Sequence, residues 1–400
     1  MTDISTSVPL TRQITSRTVL RAVFENAPVS RAELARLTGL SKQSMSEIVR
    51  DLEDEGWLRV TGRTQGAVGR SAVTYELEPR KAFVFGVDIG GTKIHAALAD
   101  LTGAIAGEII ESTDSRGGER VVDQIVRMHD ALLEKTGIAK KAVKMGAIGI
   151  PGAVHPKSRQ LTMVPNIPGL TDLAFEDVLR DRLGYDILIE NDVNMAAKGE
   201  QWLGNGRSID NFVFVALGTG IGMGIVNEGR IVRGARGAAG EIATLPIGAD
   251  PFDSRTFMAG ALESAIGSIA IRGRYEALGG TPGLTVRELF ERKDDPAAGM
   301  VIDEVARVVA TSLVAISAVV DPEVVIFGGS VGARPELVER ISFYLSRCVP
   351  VPLSCTISPL GSQAGLFGAI AIALEQFRET LFEIPGRADL GMAFMAEKTS

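Results

Sequence analysis

The chain has 400 residues, 45% apolar and 23% charged, with a net charge of −7, a length that predicts two or three domains rather than one core. Its apolar runs fall short of the roughly 18–20 residues that span a bilayer, and its N-terminus lacks the apolar stretch of a signal peptide, so a cytoplasmic protein without a membrane partner is expected. Two cysteines, Cys348 and Cys355, exclude a disulfide framework and are expected as small buried side chains.

Charge is unevenly shared. Residues 1–80 hold 11 Lys/Arg against 10 Asp/Glu, and the rest of the chain holds 31 against 39. The acidic body would repel DNA, so any nucleic-acid contact must come from a locally basic surface.

Residues 1–15 are polar and unpatterned, which predicts a disordered tail. From Ser16 the pattern is helical, with Val19, Leu20, Val23 and Phe24 on one apolar face, up to Pro28. Ser30 followed by Glu33 is the signature of a capping box. The helix 31–38 follows, with Leu34, Ala35 and Leu37 inward. Gly39 supplies a turn, and Ser41 caps a second helix that buries Met45, Ile48, Val49 and Leu52. Helix, short glycine turn, capped helix is the helix-turn-helix arrangement. Ser41, Lys42, Gln43, Ser44 and Ser46 occupy the start of the second helix, where side chains reach phosphates and base edges. "GWLRVTGRTQGAVGRSAVTYELE" then reads as a wing bearing Arg63 and Arg70. Residues 16–80 are thus a winged helix-turn-helix with operator DNA as its expected partner.

The body, 81–400, contains a repeat. "FVFGVDIGGTKIHAALADLTGAIAG" (83–107) and "FVFVALGTGIGMGIVNEGRIVRG" (212–234) both read strand, glycine loop, strand, tight turn, strand. Two such units predict two related α/β lobes whose loops face each other across a cleft and aim backbone N–H groups at a phosphate. "VVIFGGSVG" (324–332) could receive the nucleoside end. Other strand ends point the same way: "AIGIPGAV" (147–154), "MVPNIPGL" (163–170) with Asn166, and "ILIENDVN" (187–194). Asp192 beside Asn191 suits a polyol, and the same carboxylate could take a hydroxyl proton during phosphoryl transfer. Asp192 is alternatively, or also, the N-cap of the helix that follows.

The order winged helix, "DIGGTK", "GIPG", "PNIPG", "ENDVN", "GTGIGMG", "GEI", "FGGS" resembles the ROK family (repressors, open reading frames, kinases) over residues 16–380. The resemblance implies a multi-domain α/β chain: a winged helix-turn-helix, then a two-lobed actin-like ATPase (duplicated ribonuclease H-like) body that binds a monosaccharide and forms homodimers or tetramers. Carried over by position, the phosphate loops fall on Asp88, Gly90, Gly91, Thr92 and on Gly218, Thr219, Gly220, with Gly328 and Gly329 at the third loop. The sugar ligands fall on Asn166, Asn191, Asp192, Glu241 and Glu263, and the catalytic base of the kinase members on Asp192. Members usually continue from "GE" with Gly-His and three cysteines that bind zinc. Here Ala243-Thr244 stand in place of Gly-His, Ala261 replaces the last Cys, and residues 240–267 contain neither Cys nor His. Zinc is therefore expected to be absent, with Leu245, Pro246, Ile247, Phe252, Phe257 and Met258 packing the loop instead, and Thr244 takes the place of a sugar-touching His. A sugar-responsive regulator is expected. The alternatives are a sugar kinase using ATP and magnesium that carries a DNA-binding domain, or a protein–protein adaptor.

Overall fold

The computed structural model describes residues 10–64, 72–164, 167–218, 220–292, 294–351 and 353–382. Helix α1 (Leu10–Asn26) starts six residues before Ser16, inside the stretch expected as a tail, and Arg12 pairs with Asp51 across the domain. After β1 (Val29–Ser30) come α2 (Arg31–Thr38), α3 (Lys42–Asp54) and the wing strands β2 (Leu58–Thr64) and β3 (Ala72–Leu77), in sheet order β1-β3-β2. Ser30 Oγ accepts from Glu33 N–H at 3.3 Å. The second half of the capping box is not made, because the Glu33 carboxylate turns to Arg36. Gly39 ends α2 at φ 72°, a left-handed conformation natural to glycine. Met45, Ile48, Val49 and Leu52 are buried against Val19, Leu20, Val23 and Leu34. Leu37, expected inward, is exposed, and Phe24 leaves this core for a different neighbour.

The first lobe holds β4 (Phe83–Ile89), β5 (Lys93–Asp100), β6 (Ile105–Ser112), α4 (Gly118–Thr136), β7 (Val143–Ile150), the short pair β8 (Ala153–Val154) and β9 (Leu161–Thr162), α5 (Phe175–Leu183), β10 (Asp186–Asn191) and α6 (Asp192–Leu203). The second holds β11 (Phe212–Leu217), β12 (Ile221–Asn227), β13 (Arg230–Ile231), the helices α7 (Ala261–Ile266), α8 (Ser268–Ala277), α9 (Val286–Glu291) and α10 (Pro296–Val320), then β14 (Val324–Gly328), α11 (Gly329–Gly332), α12 (Pro335–Cys348), β15 (Ser354–Ile357) and α13 (Ala364–Phe382). The sheets run β10-β7-β4-β5-β6 and β13-β12-β11-β14-β15. In each lobe the first strand pairs antiparallel with the second and parallel with the fourth. The repeat read in the sequence is therefore a duplicated sheet.

One face of each sheet is covered by helices of its own lobe: α4 and α5 over β4 and β7, α10 and α12 over β11 and β14. The other faces are covered crosswise. Leu366, Ile370 and Leu374 of α13, the last element of the second lobe, lie on Val84 and Ala147 of the first. Ala196 and Ala197 of α6, which closes the first lobe, lie on Phe212, Phe214 and Val226 of the second. The two helices cross through glycines. A β-carbon at Gly368 would sit 1.7 Å from the Met195 carbonyl oxygen, and one at Gly199 would sit 2.2 Å from that of Ala364. No helix among the described residues is long and apolar enough to cross a membrane.

Gly368→Ala should therefore cost about 3 kcal/mol or more of unfolding free energy, the range of backbone overpacking. Gly137→Ala, at φ 68° with open space around it, should cost only about 1 kcal/mol. Urea unfolding of the two variants checks the contrast, and equal losses would contradict it.

Candidate ligand cleft and nucleic-acid interface

The start of α3 is polar and exposed, but its side chains divide the work. Ser41 is the N-cap: its Oγ accepts from Ser44 N–H at 3.1 Å and lies 2.9 Å from Ser44 Oγ. Ser46 Oγ donates to the Lys42 carbonyl at 2.9 Å. The three serines thus shape the helix end, while Lys42 and Gln43 project from it, both exposed. Arg50, absent from the sequence reading, lies one turn beyond Ser46 and is exposed too. The i, i+3, i+7 spacing of 43, 46 and 50 is the signal that would have found it. Arg63 sits on β2, paired with Val73 in register. Arg70 lies outside the described residues.

Beside the crossing of α6 and α13 runs a chain of carboxylates, each repelling the next: Asp88 and Asp192, Asp192 and Glu241, Glu241 and Glu263. Asp88 is the last residue but one of β4, Asp192 opens α6, Glu241 lies in the turn after β13 and Glu263 lies on α7. The cap of α6 is Asn191, not Asp192: Asn191 Oδ1 accepts from Val193 N–H and Asn194 N–H at 3.0 Å each. Its Nδ2 donates to the Gly152 carbonyl at 3.0 Å and to Asp192 Oδ1 at 3.2 Å. Every polar valence of the Asn191 amide is thereby engaged, so this residue positions the Asp192 carboxylate. Asn166 lies outside the described residues. Thr244 Oγ1 donates to the Glu241 carbonyl at 2.9 Å and helps hold that turn. Gly240 lets the turn lie on β12: a β-carbon there would meet the Met223 carbonyl at 1.8 Å.

These acids resist ionisation. Burial pushes Asp88 up to about 7, helped by repulsion from Asp192 and opposed by Lys93. Burial pushes Asp192 up to about 6, opposed by the Val193 N–H and helped by Glu241. Glu241 is raised by burial and by Glu263. Glu263 is raised by burial against the pull of the Ile221 N–H, which donates to Oε2 at 3.1 Å. Such carboxylates gain from hydroxyl donors, which stabilise the charge that the protein leaves undercompensated. Behind them Glu190, buried, accepts from Arg233 at 2.5 Å and from Asn194 Nδ2 at 3.0 Å, tying the "END" strand end to the second lobe.

The first glycine loop is held by its ends: Gly90 N–H donates to the Lys93 carbonyl at 2.8 Å, and Thr113 Oγ1 donates to the Gly90 carbonyl at 2.7 Å. Gly91 and Thr92 are exposed at its tip. In the second loop Gly218 N–H donates to the Gly220 carbonyl at 3.0 Å, and Ser268 Oγ donates to that of Gly218 at 2.6 Å. Thr219 lies outside the described residues. Gly328 and Gly329 have a packing reason as well, since β-carbons there would meet the Phe214 ring at 2.3 Å and the Leu217 carbonyl at 2.3 Å.

Of the apolar residues expected to pack the loop, Leu245 lies against the second-lobe core, but the three at its far end do not. Phe252, Phe257 and Met258 are 95%, 84% and 90% exposed. Hydrogen bonds hold the loop instead: Thr256 Oγ1 donates to the Asp250 and Asp253 carbonyls at 2.9 and 2.8 Å, and Arg255 pairs with Asp253. No group of three His, Cys, Asp or Glu suited to a metal ion occurs among the described residues. The oxygen donors of the loop do not fit zinc's usual sulfur and imidazole set. Cys348, expected buried, is exposed, while the partly buried Cys355 thiol is pushed up to about 11 by burial.

The ROK family model matches residues 84–376, from the first strand of the body to its last helix. The chain belongs to the ROK family. A MarR family model matches residues 10–70, the helix-turn-helix and first wing strand of this ROK chain. A glucokinase of Thermotoga maritima is 28% identical over 74% of the chain and 98% of its own length. The xylose repressor of Bacillus subtilis is 27% identical over 59% of the chain and 61% of its own length, so that alignment leaves over a third of the relative unmatched. A solved ROK family transcriptional regulator, a homologue of the E. coli MLC protein, superposes over 94% of the chain and 98% of its own at a TM-score of 0.73 and 23% identity. The shared fold thus extends through both the N-terminal domain and the body.

The raised carboxylates of the ROK cleft have a consequence for stability. Asp88 holds its proton in the folded state up to about pH 7 but loses it near pH 4 when unfolded. Between those values the folded state binds more protons, so this group's contribution to stability falls as pH rises. Asp88→Asn should raise Tm by a few degrees at pH 8 and by almost nothing at pH 4.5. Scanning calorimetry at the two pH values checks this, and a wild type more stable than the variant at pH 8 would contradict it.

Proposed function

We propose that this chain is a transcriptional regulator that binds operator DNA through its winged helix and is released from it by a sugar held in the ROK cleft. The observation that carries the reading is the joining, in one chain, of a capped helix presenting Lys42, Gln43 and Arg50 with a body that holds a chain of four undercompensated carboxylates drawn from both lobes. Such a site takes a polyhydroxyl ligand, and repression of sugar-uptake or sugar-use genes in the cytoplasm is the simplest output. Xylose heads the candidates because a relative carries it in its name. A homodimer or tetramer follows from the two half-sites that helix-turn-helix proteins read about 34–36 Å apart.

Charge reversal at Arg63 should weaken DNA binding at every sequence and flatten its salt dependence, whereas Gln43→Ala should relax sequence preference. Fluorescence anisotropy against duplexes selected from a random library separates the two. Asp192→Asn should bind DNA normally and lose most of the sugar response, a coupling of roughly 5–150-fold in operator affinity. Unaltered responses to xylose, glucose and N-acetylglucosamine in both Asp192→Asn and Glu241→Gln would move the sensor out of the cleft. Elemental analysis after dialysis should give less than one zinc per chain, and a stoichiometric metal would overturn the assignment of a zinc-free loop.

A second reading, a sugar kinase, is favoured by one observation: Asp192, its carboxyl pushed up to about 6 by burial, lies close enough to Asp88, which leads into the first glycine loop, to raise that residue's proton affinity. ATP and magnesium would belong to that activity alone. Turnover with ATP near 1 s⁻¹ or above, usual for enzymes, would establish it.

A further inference from the structure

The last helix of the body is also the seat of the DNA-binding domain. At its N-terminal end α13 rests on the cleft: a β-carbon at Gly365 would lie 2.7 Å from Asp88 Cγ, and Gly368 abuts the backbone of α6 one turn after Asp192. Its middle is locked to β4, where a β-carbon at Gly86 would meet Ile370 Cγ1 at 2.7 Å. Its far end, roughly 28 Å away at 1.5 Å per residue, meets α1. The Phe382 and Phe24 rings lie 5.6 Å apart, and the Arg378 guanidinium sits 4.6 Å over Phe24 while donating to the Leu101 carbonyl at 2.9 Å. Leu381 and Trp57 contribute to the cores of both domains. This explains why Phe24 left the helix-turn-helix core.

The joint also takes in Lys81, which donates to the Glu55 carbonyl and lies 5.3 Å over the Trp57 ring. Beside it a cavity of about 910 Å³ separates α1 from α6 and α13, bordered by Arg21, Glu25, Lys198, Trp202 and Glu379. One end of α13 is thus fixed by contacts without slack, and the other bears on a helix that has space to re-seat. A helix packed backbone to backbone shifts as a unit rather than compressing.

We propose that α13 is the rod through which the state of the cleft sets the pose of the winged helix, with Asp88 and Gly365 as its input contact and Phe24, Arg378 and Phe382 as its output contact. The inference rests on the reading of the chain as a ligand-responsive DNA-binding protein. Occupancy that moves Asp88 relative to α6 moves α13, and α1 follows into or out of the adjoining cavity.

The test is a double-mutant cycle on the full-length protein. The input is altered by Gly365→Ala, or by the near-isosteric Asp88→Asn should the glycine variant fail to fold. The output is cut by Phe24→Ala with Phe382→Ala. Two quantities are read: affinity for a duplex that the wild type selects from a random library, and hydrogen exchange of the α1 amides without DNA. The input change alone should shift operator affinity at least 5-fold and alter α1 exchange. In the output-cut background both effects should fall below 2-fold. Equal effects in both backgrounds, or a folded input variant that moves neither quantity, would overturn the rod. Failure to select any duplex would instead sink the DNA-binding reading, and the exchange measurement would still judge the rod.

Discussion

Two helices crossing without side chains between them set the terms for everything else in this molecule. α6 and α13 meet at Gly199 and Gly368 so closely that a methyl group at either position would strike a carbonyl oxygen. The ends of β4 and β10 flank β7 in one sheet, and the crossing lies beside them, next to Asp88 and Asp192. It also fixes the separation of the two sheets, since each helix closes one lobe and covers the sheet of the other. Glycine is required there by space alone, before any ligand is considered.

The cleft is shaped by what it lacks as much as by what it holds. Asp88, Asp192, Glu241 and Glu263 all have raised proton affinities, and burial is the first cause in each case. Lys93 offsets only part of this at Asp88. An empty cleft therefore carries an electrostatic penalty that incoming hydroxyl donors relieve. Binding energy of that origin is available to favour one arrangement of the lobes over another, which is the requirement for a ligand to shift a conformational balance.

Much of this was readable in the chain itself. The duplicated strand–loop–strand units gave the first three strands of each lobe, because a buried strand that ends in glycines has few other uses. The capped second helix of the N-terminal domain was equally plain from Ser41 and the Met45, Ile48, Val49, Leu52 spacing. What stayed hidden depended on partners far away in sequence. Phe24 matches the apolar face of α1 by period, yet its neighbour is Phe382, and no local pattern announces a pairing across more than 350 residues. Asn191 reads as a ligand beside Asp192, and its amide also closes the helix end through four hydrogen bonds that no local pattern announces. Phe252, Phe257 and Met258 misled in the opposite direction. An apolar residue in a loop invites a packing role, whereas this loop is closed by Asp and Thr turns that leave those side chains outside.

The crosswise covering of the sheets also governs how the molecule can be made. While the ribosome works, β4 and β7 emerge early, but the helix that shields one face of them follows only after every strand of the second sheet. At about 5–20 residues per second, the wait between β4 and the end of α13 lasts roughly 15–60 s. Through that interval Val84, Ala97, Ala147 and their neighbours face solvent or a chaperone. Nascent chains of this protein are thus obliged to carry a bare sheet until α13 has been made, and the first lobe's sheet is covered only after the strands of the second exist.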